Sequence, residues 1–185
     1  MKLVAGLDLS LSSTGVLGAQ GHLRVIRQGS RRGHDRLDYI VREILPDVLG
    51  CVLVAVEGPS YGSASLGGHE ELSWLRGTVQ RELWLRGIPF VVVSPASLKM
   101  FATGNGRASK DEMHAAAEAW HGAPIEGPVK NSKYDMADAL WLARLALFAV
   151  VGHRVNPLGS TRVHGRELEA TRGCDWMYAG DFKPA

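Results

Sequence analysis

Four acidic residues of this chain stand where structure alone gives little reason for a carboxylate. Asp8 interrupts the apolar run "VAGLDLS", and an unpaired charge inside a strand is costly to bury. Glu57 closes a second apolar stretch, "CVLVAVE". Asp135 and Asp138, in "KYDMADALWLA", are three residues apart and share one face if that segment is helical. Taken singly, each has an ordinary reading: an acid at a strand end often borders a loop, and acids in a first helical turn are favoured by the helix dipole. Taken together they suit a different chemistry. Like charges 4 Å apart repel by about 4 kcal/mol at an effective dielectric of 20, and a divalent cation turns that repulsion into binding. Carboxylates without cysteine suit hard ions, Mg²⁺ or Mn²⁺. Two such ions about 4 Å apart form the clamp used for in-line phosphodiester cleavage. In that reading Asp8 bridges both ions from a rigid strand.

Such a site needs elements that bring the four acids together. Leu3 to Leu9 reads as a buried strand, and "SLSSTG" as a tight turn after it. Gly15–Ala19 and Leu23–Gln28 read as a hairpin around Gln20 and Gly21. Leu37, Ile40, Val41, Ile44 and Leu45 fall at helical spacing after Gly33, with Pro46 expected to cap or kink the last turn. Cys51–Val56 is a further buried strand ending at Glu57. A Gly/Ser-rich loop follows, then a helix through Leu72, Leu75, Val79 and Leu83 up to Gly87. "IPFVVV" is another strand. Ser94 and Pro95 start a helix, and Ser109 caps one that stops at Gly122. The last helix starts at "YDMADA". Strands, then alternating helices and strands, imply a mixed α/β sheet with helices on both faces. In such a sheet the first and fourth strands can be neighbours.

The chain has 185 residues and a 45% hydrophobic content, enough for one full core. The net charge is +2; with the four acids set aside on metal ions, 21 basic residues face 15 acidic ones. Five arginines (Arg24, Arg27, Arg31, Arg32, Arg36) stand against one acid, Asp35, between Arg24 and Arg36. A solvated arginine face and a nucleic-acid footprint both fit that pattern. No apolar run is long enough to span a membrane. "MKLVAGLDLS" does not read as a signal peptide. Cys51 and Cys174 have neither metal-ligand spacing nor a disulfide framework, so a cytoplasmic location is expected. His114, His121, His153 and His164 show no regular metal spacing.

Four blocks, "GLDLSLSSTG", "VAVEGP", "SLKMFATGNGRASKDEM" and "KYDMADALWLA", occur in this order. They resemble the motifs of the RuvC family of Holliday-junction resolvases, especially phage-like members, within the RNase H-like superfamily. The resemblance runs from about Leu3 to Val151. It implies an RNase H-like fold, a five-stranded mixed sheet flanked by helices, over residues 1–152, with 153–185 as a tail or extension. It implies a homodimer that binds branched DNA and nicks two opposed strands of a four-way junction using Mg²⁺ or Mn²⁺, two ions per site. By motif the ligands are Asp8, Glu57, Asp135 and Asp138. Lys99 and Lys110 match basic DNA-contacting positions, and Arg107 between them is grouped with these. The segment after Glu57 resembles one that supplies an aromatic wedge, which makes Tyr61 a candidate for stacking on a base. The stretch Gly58 to Gly68 departs from the family's usual sequence. The tail from His153 holds five basic and four acidic residues, so its charge does not mark a DNA-binding arm.

Other readings share parts of this pattern. "GLDLSLSSTG" also resembles the phosphate-binding hairpin of sugar kinases and actin-like ATPases, but those need two such domains and this chain has room for one. The same metal chemistry would serve an RNase H-like nuclease acting on flaps, forks or RNA–DNA hybrids. A binding module with purely structural acids is a non-enzymatic reading, against which stands the presence of all four. The segment with Trp74, Leu75, Val79, Leu83 and Trp84 carries large apolar side chains on more than one face. One face can cover the sheet, and the other is available to a second copy or to the tail bearing Trp176.

Overall fold

The computed structural model describes residues 3–59, 69–151 and 174–177. The elements in chain order are β1 (Val4–Asp8), β2 (Thr14–Leu17), β3 (Leu23–Ile26), α1 (Gly33–Val48), β4 (Leu53–Glu57), α2 (His69–Leu85), β5 (Phe90–Val93), α3 (Pro95–Thr103), α4 (Lys110–His121), α5 (Ser132–Val151) and β6 (Asp175–Met177). The sheet order is β3-β2-β1-β4-β5-β6. β1 runs antiparallel to β2 and parallel to β4, and β4 is parallel to β5. The first five strands form the mixed sheet expected from the sequence. β6 adds a short antiparallel strand on β5, drawn from the segment expected to be a tail.

The side-chain alternation of the strands sorts the core into two layers. Ala5 and Leu7 of β1, Val16 of β2, and Val54 and Val56 of β4 face α1 and α2. On the other face, Leu53, Ala55, Val91 and Val93 pack against α3, α4 and α5. Helix α5 lies across β1, β2 and β4. It is apolar on all sides because α3 and α4 cover its outer surface. Phe101 meets Trp141 and Phe148 edge-on, and Trp141 Nε1 donates to the Met113 carbonyl.

Two glycines let α5 sit directly on the sheet. A Cβ on Gly6 would stand 2.1 Å from the Ala139 carbonyl oxygen, and one on Gly15 would stand 2.0 Å from that of Asp135. Gly15 is the cross-strand partner of Asp8. The backbone of Asp135 thus rests on the residue beside Asp8.

Local signals behave as their chemistry requires. Ser94 accepts from the Ser97 amide with Pro95 in the first turn, and Ser109 and Glu112 form a full capping box. The "SLSSTG" turn is closed by Thr14, whose buried hydroxyl donates to the Ser10 carbonyl at 2.8 Å. Pro46 does not stop α1, which continues to Val48; in the last turn its missing N–H costs little of the helix that follows. Among the described residues no helix is long and apolar enough to cross a membrane. Cys51 and Cys174 are buried, and neither forms a disulfide among the described residues.

Candidate active site

β1 and β4 run parallel and adjacent, so their C-terminal ends fall at the same edge of the sheet. Asp8 ends β1 and Glu57 ends β4. Gly6 and Asp8, two residues apart, point to the same face, the one covered by α5. Asp8 is only 8% exposed, and its carboxyl shares a hydrogen bond with that of Glu57. Asp135 and Asp138 project from the first two turns of α5 and place their charges against this pair. The fold therefore brings together all four acids singled out in the sequence.

Their electrostatics follow from that crowding. Burial, then the neighbouring charges of Glu57, Asp138 and Asp135, hold the Asp8 carboxyl well above the usual carboxylate range. Burial and the Glu57 charge push Asp138 up to about 7. Burial raises Glu57 as well, opposed by its hydrogen bond to Asp8 and by the cations Arg76, Lys110 and Lys99. Asp135 is raised by burial and relieved by the Ser13 hydroxyl and Lys110. The donor set is all oxygen, buried at Asp8, partly buried at the other three and crowded by its own charge, which fits a hard divalent cation. No three His, Cys, Asp or Glu side chains among the described residues are gathered closely enough, as they stand, to hold one ion.

A stability prediction follows with a definite sign. Asp138 titrates near 7 in the folded chain and near 3.8 when unfolded, so its folded form prefers the proton. The stability tied to that proton is complete below about pH 4 and is lost as pH rises towards 7. In EDTA, Asp138→Asn should therefore gain Tm over the parent protein as pH rises from 4 to 7. The expected gain is several degrees, at roughly 2–4 °C per kcal/mol for a chain of this size. A Tm difference that stays constant over that range refutes the assignment.

The basic candidates divide. Lys99 on α3 and Lys110 at the start of α4 both lie close enough to ease the charge on Glu57 and Asp138. Lys110 Nζ sits 5.9 Å from the centre of the Tyr134 ring, whose hydroxyl donates to Asp111 Oδ1 at 2.6 Å. Arg107 is exposed in the loop between α3 and α4, where its backbone N–H donates to Asn105 Oδ1, and it is not drawn to the carboxylates. Tyr61 lies outside the described residues. The arginine-rich segment is partly committed to the fold: Arg24 pairs with Asp47 and Glu43, Arg36 pairs with Glu71, and Arg31 stacks over Tyr39. On α2, Leu75, Val79 and Leu83 are buried, whereas Trp74 is 48% exposed, stacked on His34, and Trp84 is 61% exposed.

One residue of the site was not anticipated. Arg76 of α2 is only 9% exposed, and its charge faces Glu57 and Asp8. It arrives from the helical layer on the opposite face of the sheet to α5. Its signal in the sequence is positional: Arg76 lies three residues before Val79 and seven before Leu83, on the apolar stripe of the helix.

The sheet order, the helix that crosses it and the acids at the strand ends define an RNase H-like fold. Within that class the chain resembles RuvC. No protein-family model matches it. It is 32% identical over 83 residues to the crossover junction endodeoxyribonuclease RuvC of Bacteroides fragilis, spanning 45% of this chain and 41% of the relative. It is 27% identical over 130 residues to the RuvC of Porphyromonas gingivalis, spanning 70% and 65%. Both alignments thus cover less than two thirds of the relatives' length. Among solved structures, Thermus thermophilus RuvC matches with a TM-score of 0.61 at 18% identity, over 95% of this chain and 99% of that one. The same protein in complex with a Holliday junction substrate matches at 0.64 and 20% identity, over 96% and 100%.

Proposed function

We propose that this chain is a metal-dependent endodeoxyribonuclease that resolves four-way DNA junctions by paired, symmetric nicks. The observation that carries the reading is the Asp8–Glu57 pair at adjacent strand ends, with Asp138 and Asp135 set against it by α5. Its resemblance to crossover junction endodeoxyribonucleases supports the choice of substrate. Asp8, Glu57, Asp135 and Asp138 would hold two Mg²⁺ or Mn²⁺ ions, which when bound supply an activated water and stabilise the leaving oxygen. Lys99 and Lys110 flank the carboxylates and neutralise backbone phosphates, fixing the scissile bond over the site. Arg107 and Tyr61 extend the DNA contacts, Tyr61 by stacking.

The test is a nicking assay on a synthetic four-way junction with Mg²⁺, Mn²⁺ or EDTA, beside duplex, flap and RNA–DNA hybrid. Ion-dependent cuts at symmetric positions on two opposed strands are expected. Equal or better cleavage of flap or hybrid refutes junction resolution.

Two further results are expected. Lys110→Ala weakens binding to junctions of any sequence and reduces the slope of log affinity against log salt by about one; an unchanged slope removes Lys110 from the phosphate contacts. A single site cannot reach two opposed strands at once, so paired nicks call for a two-fold dimer with an isologous interface. The outward face of α2, with Trp74 and Trp84, is the candidate surface. Sedimentation on junction DNA should give two chains per junction, and one chain per junction contradicts paired cleavage.

A further inference from the structure

Most buried arginines in soluble proteins are paired. Arg76 is buried to 9% exposure between Leu75 and Val79, and its Nε has no hydrogen-bond partner among the described residues. The anionic groups it faces are Glu57 and Asp8. Nothing in the packing of α2 requires a guanidinium there, since Leu75, Val79 and Leu83 already cover the sheet. A positive charge with an unpartnered Nε, facing two carboxylates at adjacent strand ends, has one evident electrostatic use.

We propose that Arg76 is the resident counter-cation of the site, a positioning residue that balances the Asp8–Glu57 pair in the ion-free protein and competes with divalent ions for the same negative charge. The inference rests on the metal reading proposed above. Two carboxylates on rigid neighbouring strands cannot move apart to relieve their repulsion, so a fixed cation behind them stabilises the empty site. The same cation repels an arriving divalent ion. Arg76 thus holds the site ready while lowering its affinity in the absence of DNA. A DNA phosphate, being negative, would offset that repulsion, so ion loading and DNA binding favour each other.

The test is Mn²⁺ binding to the DNA-free protein, read from the electron paramagnetic resonance signal of free Mn²⁺, for the parent chain, Arg76→Gln, Arg76→Lys and Asp8→Asn. Arg76→Gln removes the charge and should bind Mn²⁺ about tenfold more tightly at low salt. Arg76→Lys keeps the charge and should stay within about threefold of the parent. A merely structural arginine would leave Mn²⁺ affinity equal in all folded variants or lower in Arg76→Gln, and either result overturns the proposal. Should Arg76→Gln be unfolded without ions, recovery of the folded protein in saturating Mn²⁺ supports the proposal and failure to recover overturns it. Asp8→Asn separates the two levels of the argument. Binding lost in Asp8→Asn but unchanged in Arg76→Gln removes only the role of Arg76. A parent chain that binds no Mn²⁺ removes both.

Discussion

Asp8→Asn should reduce junction cleavage by a factor on the order of a thousand or more while leaving junction binding intact or stronger. Asparagine keeps the shape of the side chain and removes a charge that would help to hold the ions, and the groups of such a centre act as a unit, so losing one ligand removes most of their effect. Binding should not suffer, because one negative charge fewer faces the phosphates. The substitution also removes a carboxyl whose charge the folded site disfavours, so Asp8→Asn should raise the Tm of the ion-free protein at neutral pH and erase its stabilisation by Mg²⁺. Cleavage within tenfold of the parent, measured with both Mg²⁺ and Mn²⁺, shows that Asp8 is not a ligand.

The second large effect is expected at a residue with no functional group. Gly15→Ala places a Cβ 2.0 Å from the Asp135 carbonyl oxygen and 2.5 Å from its carbon. The neighbour is backbone, so it cannot rotate away; the start of α5 must lift off β2. Overpacking of this kind costs about 3 kcal/mol or occasionally more, a fall in Tm on the order of 10 °C. The displacement carries Asp135 and Asp138 with it, so cleavage should fall further than stability, even well below the Tm. Gly77→Ala is the matched control. It lies in the middle of α2 with open space around its α-carbon, and should be neutral or stabilising by up to about 1 kcal/mol. Thermal denaturation of the two variants and junction cleavage by Gly15→Ala decide the matter: a small loss of Tm for Gly15→Ala, no larger than that of Gly77→Ala, would mean that α5 is not seated on Gly15.

Much of the architecture was readable in the sequence because each element announces its own ends. Ser94 with Pro95, and Ser109, gave starts that the structure keeps. The four acids were readable because each sits at an element boundary where apolar patterning breaks. Arg76 was not, since a charge inside a helix is read by default as solvent-facing, and its burial is decided by what α2 packs on. The sixth strand escaped for a related reason. β6 is only three residues, Asp175–Met177, and pairing on β5 is a tertiary choice that periodicity over so short a segment cannot report. The arginine cluster misled in the opposite direction: Arg24 and Arg36 look like free cations in sequence, but their acids lie 19 to 35 positions away.

The position of α5 has a consequence for the chain's life before it is complete. Asp8 and Glu57 are made early, but Asp135 and Asp138 are made late, on the helix that also covers the central strands. Synthesis runs from the N-terminus, and a domain generally folds as a unit. Until α5 emerges, one face of β1, β2 and β4 has no cover, and half of the carboxylates do not exist. The hydrophobic step that finishes the core is the same step that brings the four carboxylates together. A nascent chain that lacks α5 therefore lacks both the cover of its central strands and half of the proposed ligand set.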